Sequence, residues 1–274
     1  MLALVVAATP ADVELASDAL WSLGVIAIEE RAATDGVELW TSLGDDSDAV
    51  IGVASQRLER WSWRFVEVDE AVADAWRAYA QPVWVEADLV ICPAWVPFHP
   101  SPNSEARTTV LCIEPGATFG LGDHPTTMLS MRAIRRSLRA GSIVLDVGCG
   151  SGVLAVGACL LGASRAVAID IAPASVPITT MNALANGVAD LVEVSTTSLA
   201  EIDGQFDVVV ANILAPTLIE LADDLVRVVA PLGVLIVSGV LADRHDHVEA
   251  ALQPLRRIHR DVLDGWAAIT LAAD

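Results

Sequence analysis

From Ile143 onward the chain repeats one pattern: a short, almost uninterrupted apolar run, then an amphipathic stretch long enough for a helix. The runs are Ile143–Asp146, Ala166–Asp170, Leu191–Val194, Phe206–Ala211 and Val234–Ser238, and VLDV and FDVVVA in particular show little polar alternation. A strand with one face in water alternates apolar and polar residues, whereas a strand covered on both faces does not. Covered strands separated by helices predict an α/β fold, a doubly wound and mostly parallel sheet. Ligands of such sheets bind beyond the carboxyl ends of the strands, so the residues just after each strand carry the chemistry.

The first part of the chain has a different rhythm. The apolar period switches between two and 3.6 residues over Leu2–Ala8, Pro10–Leu23, Val25–Glu29, Val37–Leu43, Ser47–Arg60 and Trp63–Val68. That order, βαββαβ, predicts a small ferredoxin-like α+β domain over residues 1–68. Residues 69–116 then read as a connector: a short helix near Ala71–Tyr79, strand-like Val83–Val85 and Leu89–Cys92, and Pro93, Pro97, Pro100 and Pro102, which favour extended or turn backbone. The parallel-sheet domain is expected over residues 117–274.

Composition narrows the function classes. No apolar run approaches the ~18 residues of a membrane span, and Met1–Ala8 has no basic flank, so a cytoplasmic protein is expected. Cys92, Cys112, Cys149 and Cys159 form no C-x-x-C pair, which predicts reduced thiols and no bound metal. With 36 acidic against 16 basic residues, all of the latter arginine, the net charge of −20 argues against direct nucleic-acid binding and would suit a basic protein partner; its plainer reading is solubility.

The first covered strand runs into Asp146-Val147-Gly148-Cys149-Gly150-Ser151-Gly152. Glycines at such a turn let the backbone approach a ligand closely. A dinucleotide site calls for G-x-G-x-x-G, but Val153 occupies the place of the third glycine. The observed G-x-G-x-G, with Gly148 and Gly150 as candidate ligand contacts, is the pattern of S-adenosylmethionine enzymes; its plainer reading is an ordinary tight turn. The next strand ends at Asp170, where a carboxylate can accept from ribose hydroxyls; the alternative is a helix cap ahead of Pro173. After the strand FDVVVA comes Asn212, whose amide oxygen can hold an amine, or which can cap the helix near Pro216. His124 precedes a helix starting near Pro125, as a proton acceptor or as its cap. Cys149 sits in a turn that needs small residues and has no partner base in sequence. His245 and His247 point to different helix faces and read as surface residues, while Trp61, Trp63, Trp76 and Trp84 read as packing residues.

Taken in order, ICPAW (91–95), IEPGATFG (113–120), FGLGDHPTT (119–127), LDVGCGSG (145–152), AIDI (168–171) and ANILAPTLIEL (211–221) resemble the ribosomal protein L-eleven methyltransferase family, PrmA type. The resemblance covers about residues 70–250. It implies a Rossmann-like S-adenosylmethionine-dependent methyltransferase domain behind a substrate-recognition domain. It also implies transfer to lysine or N-terminal amines of ribosomal protein L-eleven, with another protein's lysines as the competing substrate; in-line transfer from the sulfonium needs no metal, and a monomer is expected. Cofactor contacts are implied at Thr127, Gly148, Asp170 and Asn212, all of which keep the expected residue type; Leu121 departs, standing where the family usually has threonine.

Overall fold

The computed structural model describes residues 2–9, 12–21, 23, 25, 28–33, 36–42, 52, 54–55, 57–67, 77, 80–99, 108–116 and 122–273. The chain forms two compact units, residues 1–80 with 117–119, and residues 81–116 with 120–274. Among the described residues no helix is long and apolar enough to cross a membrane.

In the first unit β1 (Leu2–Ala8), β2 (Glu29–Ala33), β3 (Gly36–Ser42) and β4 (Ser62–Glu67) form an antiparallel sheet in the order β2-β3-β1-β4. One face of β1, Leu4, Val6 and Ala8, packs with Ala16 and Leu20 of helix α1 (Val13–Trp21) and with Ala54 and Leu58. The strand expected over Val25–Glu29 lies later, because the β2–β3 hairpin sets the register by placing Ala33 opposite Gly36. The expected helices over Ser47–Arg60 and Ala71–Tyr79 fall largely outside the described residues, although Ala54 and Ser55 are helical.

The second unit begins earlier than residue 117. The segment read as a connector supplies β5 (Val83–Glu86), β6 (Leu89–Pro93) and β7 (Thr109–Ile113), a three-stranded sheet. Val85, Leu89, Ile91, Leu111 and Ile113 enter one core with Met131 and Ile134 of helix α2 (Pro125–Ser137) and with Val153, Leu154 and Val156 of helix α3 (Val153–Leu160). The prolines of this segment cluster from the end of β6 onward, so they interrupt the strands without preventing them.

The main sheet contains β8 (Ile143–Val147), β9 (Arg165–Ile169), β10 (Val192–Ser195), β11 (Phe206–Asn212), β12 (Val229–Leu241), β13 (Arg256–Leu263) and β14 (Trp266–Ala272), in the order β10-β9-β8-β11-β12-β14-β13. From β10 to β12 the pairs are parallel; β14 and β13 close the edge antiparallel. Along β11, Val208 and Val210 face the core shared with α3, while Val209 and Ala211 face a second core with Leu218, Leu225 and Val248. Both faces are apolar, which is why the sequence shows an unbroken run. Helix α4 (Ser175–Ala185) follows β9, and helices α5 (Ala215–Glu220), α6 (Ala222–Arg227) and α7 (Asp246–Ala251) cover the other face. After β8 the chain steps to β9 and β10, then crosses back to place β11 on the other side of β8. The opening between β8 and β11 is the switch point of the sheet, where such folds bind ligands.

Candidate active site

At the end of β8 the chain turns sharply, with Gly148, Gly150 and Gly152 all in the left-handed region (φ +74°, +53° and +77°). The N–H groups of Gly148 and Cys149 donate to the Ile169 carbonyl at 2.8 and 3.1 Å, so the turn is seated on the end of β9. There the two Asp170 oxygens take different partners: Oδ2 accepts from the Gly150 N–H at 2.8 Å and Oδ1 from the Ala172 N–H at 2.9 Å. Asp170 is not a helix cap, since α4 starts at Ser175 after Ala174. Each oxygen keeps a further lone pair for a ligand hydroxyl, and the residue is half-buried.

Beneath the turn lies Asp146, 1% exposed, accepting from the Ala155 N–H at 3.0 Å. Burial pushes its carboxyl up to about 7, against the Ala155 hydrogen bond and with the help of nearby Asp170. Cys149 is buried too; burial raises its thiol far above the ordinary range, which suits a turn residue and not a nucleophile.

Across the switch point β11 ends at Asn212, paired with Ser238 of β12. The cap of α5 is Leu214, so capping is not what Asn212 does. The Asn212 side chain is half-buried at the sheet edge. The next residue, Ile213, is gripped from both sides. A Cβ on Gly148 would stand 2.5 Å from Ile213 Cγ2, and one on Gly239 would run into the Ile213 carbonyl. Gly239 was not among the sequence candidates; a glycine directly after the covered strand VLIVS was the available signal.

His124 caps α2. Its Nδ1 accepts from the Thr126 N–H at 3.3 Å and lies 2.7 Å from Thr126 Oγ1, an arrangement that leaves the proton on Nε2. Its ring meets Trp266 edge-on at 5.1 Å, and burial lowers its pKa, opposed by the charge of Asp123. Thr127, 1% exposed, lies in the first turn of the same helix, its N–H donating to the His124 carbonyl at 3.0 Å. Ser238, the strand partner of Asn212, donates through Oγ to the Ala267 carbonyl at 3.0 Å and the Thr126 carbonyl at 3.4 Å. The start of α2 is thereby tied to the strand beside Asn212. Gly148, Gly150 and Asp170 thus form one connected ledge, and Asn212 ends the strand next to it. Leu121 lies outside the described residues.

Two expectations need correcting. His245 is not a surface residue: it is 5% exposed, and its Nε2 lies 3.0 Å from Arg260 Nη1 and 3.3 Å from Arg257 Nη1. The residues around His245 include Asp246 and Glu249, but two guanidinium groups at the same ring nitrogen oppose a cation there. Trp84 is 48% exposed, resting edge-on against Phe98 instead of entering a core.

A sequence profile described as ribosomal protein L11 methyltransferase (PrmA) matches residues 45–274. The chain is 42% identical over 208 residues to a ribosomal protein L11 methyltransferase of Citrifermentans bemidjiense, covering 74% of this chain and 67% of that one. It is 43% identical over 205 residues to the protein of the same name from Geobacter metallireducens, covering 75% and 62%. The crystal structure of a ribosomal protein L11 methylase from Lactobacillus delbrueckii subsp. bulgaricus superposes with a TM-score of 0.65 at 31% identity, covering 71% of this chain and 99% of that one. The matched region spans about two thirds of the length of the two curated relatives.

Proposed function

Because the chain belongs to the ribosomal protein L11 methyltransferase (PrmA) family, we propose that it transfers methyl groups from S-adenosylmethionine to amine nitrogens of ribosomal protein L11. The observation that carries the cofactor half is the ledge at the switch point, where a left-handed glycine turn is hydrogen-bonded through Gly150 to Asp170. The residues present fit the cofactor. Gly148 leaves backbone exposed where a side chain would strike Ile213, and Asp170 has acceptor capacity for a ribose. The glycine turn and Asp170 would hold the nucleoside part, with Thr127 and Asn212 toward the amino-acid part.

When bound, the cofactor supplies a methyl group already activated by its sulfonium. The chain itself must present a neutral amine in line with that methyl group. A free lysine amine has a pKa of about 10.4, so a site that added a carboxylate beside it would favour the unreactive ammonium. Asn212 meets this requirement, because its oxygen accepts from the amine and adds no negative charge. His124, held neutral by burial, is the candidate to receive the proton, which it can do only at Nδ1 and at the expense of the cap bonds to Thr126.

The substrate half rests on the family and on charge. A net charge of −20 attracts a basic protein and disfavours direct contact with nucleic acid. We assign substrate choice to residues 1–68, since every cofactor motif lies beyond them. Equilibrium titration tests the cofactor assignment. The chain should bind S-adenosylhomocysteine and not NAD, and the reverse preference would defeat the proposal.

A further inference from the structure

Helix α4 is built inside out. Thr179 and Asn182 are 0% and 1% exposed, whereas Met181 and Leu184 are 43% and 64% exposed. The inward polar groups are well engaged. Asn182 Oδ1 accepts from the Glu114 N–H at 2.9 Å, and its Nδ2 donates to the Glu114 carbonyl at 2.9 Å and the Ser151 carbonyl at 2.8 Å. One turn on, Asn186 treats Cys112 the same way, accepting at 2.9 Å and donating at 2.7 Å, and donates also to the Asn182 carbonyl at 2.8 Å. The match is geometric: four helical residues advance about 6 Å at ~1.5 Å each, close to the roughly 6.6 Å spanned by two strand residues. Two side-chain amides therefore stand in for a neighbouring strand along β7, satisfying backbone groups that would otherwise be orphaned.

Only one of the pair reaches further. Ser151 belongs to the glycine turn, and Thr179 reinforces the attachment through its Oγ1 to the Gly150 carbonyl at 3.2 Å. We infer that Asn182 is a positioning residue for cofactor binding, which fixes the glycine turn against the end of β7 through a single side chain. Asn186 has the bracing role without the positioning one. Asn182 joins two segments far apart in sequence, IEPGATFG through Glu114 and LDVGCGSG through Ser151. The Gly150 N–H therefore meets Asp170 in a turn whose height is set from behind. This inference rests on the cofactor reading above.

The test compares Asn182→Ala with Asn186→Ala, since each removes three hydrogen bonds of similar length. S-adenosylhomocysteine affinity and Tm are measured on the full chain, with titrations below the unfolding range of both variants. We expect comparable losses of Tm, with affinity weakened on the order of tenfold for Asn182→Ala and within about twofold for Asn186→Ala. If Asn182→Ala does not fold, Asn182→Asp replaces it, keeping the acceptor for the Glu114 N–H but setting an oxygen against the Glu114 and Ser151 carbonyls. Equal affinity losses at the two positions, or wild-type affinity in the Asn182 variant, would overturn the inference. Absence of binding by the unaltered chain would instead overturn the cofactor reading, and the inference with it.

Discussion

Asp170 Oδ2 accepts the Gly150 N–H at 2.8 Å, so the carboxylate at the end of β9 braces the glycine turn at the end of β8. The same group is assigned to the ribose, which makes it both a support and a contact. Asp170→Ala should therefore weaken S-adenosylhomocysteine binding by more than about tenfold, since a hydrogen bond to a charged group is worth about 1.5–3 kcal/mol. Asp170→Asn should lose less if its Oδ1 still meets the Gly150 N–H. Calorimetric titration of the two variants checks both the size and the order.

Gly148 and Ile213 form a steric pair across the switch point. Gly148→Ala places a Cβ 2.5 Å from Ile213 Cγ2 and holds alanine at φ +74°. The left-handed conformation alone costs about 1–2 kcal/mol. Adding Ile213→Ala should recover the steric part and leave the backbone part. A double-mutant cycle on stability should therefore be non-additive; strict additivity would mean the two residues do not meet.

His124 separates capping from proton acceptance. His124→Ala should cost about 1 kcal/mol through the lost cap. His124→Asn keeps an acceptor for the Thr126 N–H and should restore stability. If the ring also takes the proton from the amine, the Asn variant remains slow while stable, seen as a lowered kcat at unchanged Tm. Burial lowers the folded-state pKa, so the stability that goes with a neutral ring is full above the ordinary imidazole value and is lost as pH falls through the folded value.

Asn212→Ala should lower kcat by on the order of a hundredfold with stability preserved, because misplacing a reacting atom is that costly. Asn212→Asp keeps the shape but adds charge beside the amine. Its rate should lie below wild type across neutral pH, and a wild-type rate would rule out amine positioning by a neutral amide.

The buried Asp146 predicts a pH dependence of stability. Its carboxyl is raised from an ordinary 3.8 to about 7 by burial. Stability is then fullest below the unfolded value and declines as pH rises toward the folded one, by at most about 1.4 kcal/mol per unit. Asp146→Asn retains an acceptor for the Ala155 N–H and should flatten this slope in denaturant titrations from about pH 4 to about pH 8, a range that brackets the rise. An unchanged slope would place the titration elsewhere.

The parallel strands and the residues at their ends were legible because burial on both faces leaves an unbroken apolar run, as in Val208–Ala211, and because the glycine turn is contiguous in sequence. Most of what escaped depends on pairing or distant contact, although the apolar run of β14, Trp266–Ala272, also went unread. Strand β13, RRIHRDVL, is an exposed edge made into a strand by β14, and its polar sequence carries no such signal. Two strands of the small sheet, β5 and β6, were legible as strand-like segments, and the prolines from the end of β6 onward hid the third, β7. His245 is buried beside arginines from an element beyond its own helix, and Asn182 looks like a surface polar residue until Glu114 and Ser151 are found beside it. The helix-cap alternatives for Asp170 and Asn212 were decided by where the helices start, a matter of a few residues that periodicity does not resolve.

The most direct measurement is methyl transfer itself: the chain incubated with methyl-labelled S-adenosylmethionine and purified ribosomal protein L11, followed by mass mapping of the modified positions. Our account predicts label on lysine or N-terminal amines of L11, reduced at subsaturating cofactor when Asp170→Ala replaces the unaltered chain. A chain that binds the cofactor yet leaves L11 unlabelled, or labels groups other than amines, would contradict it.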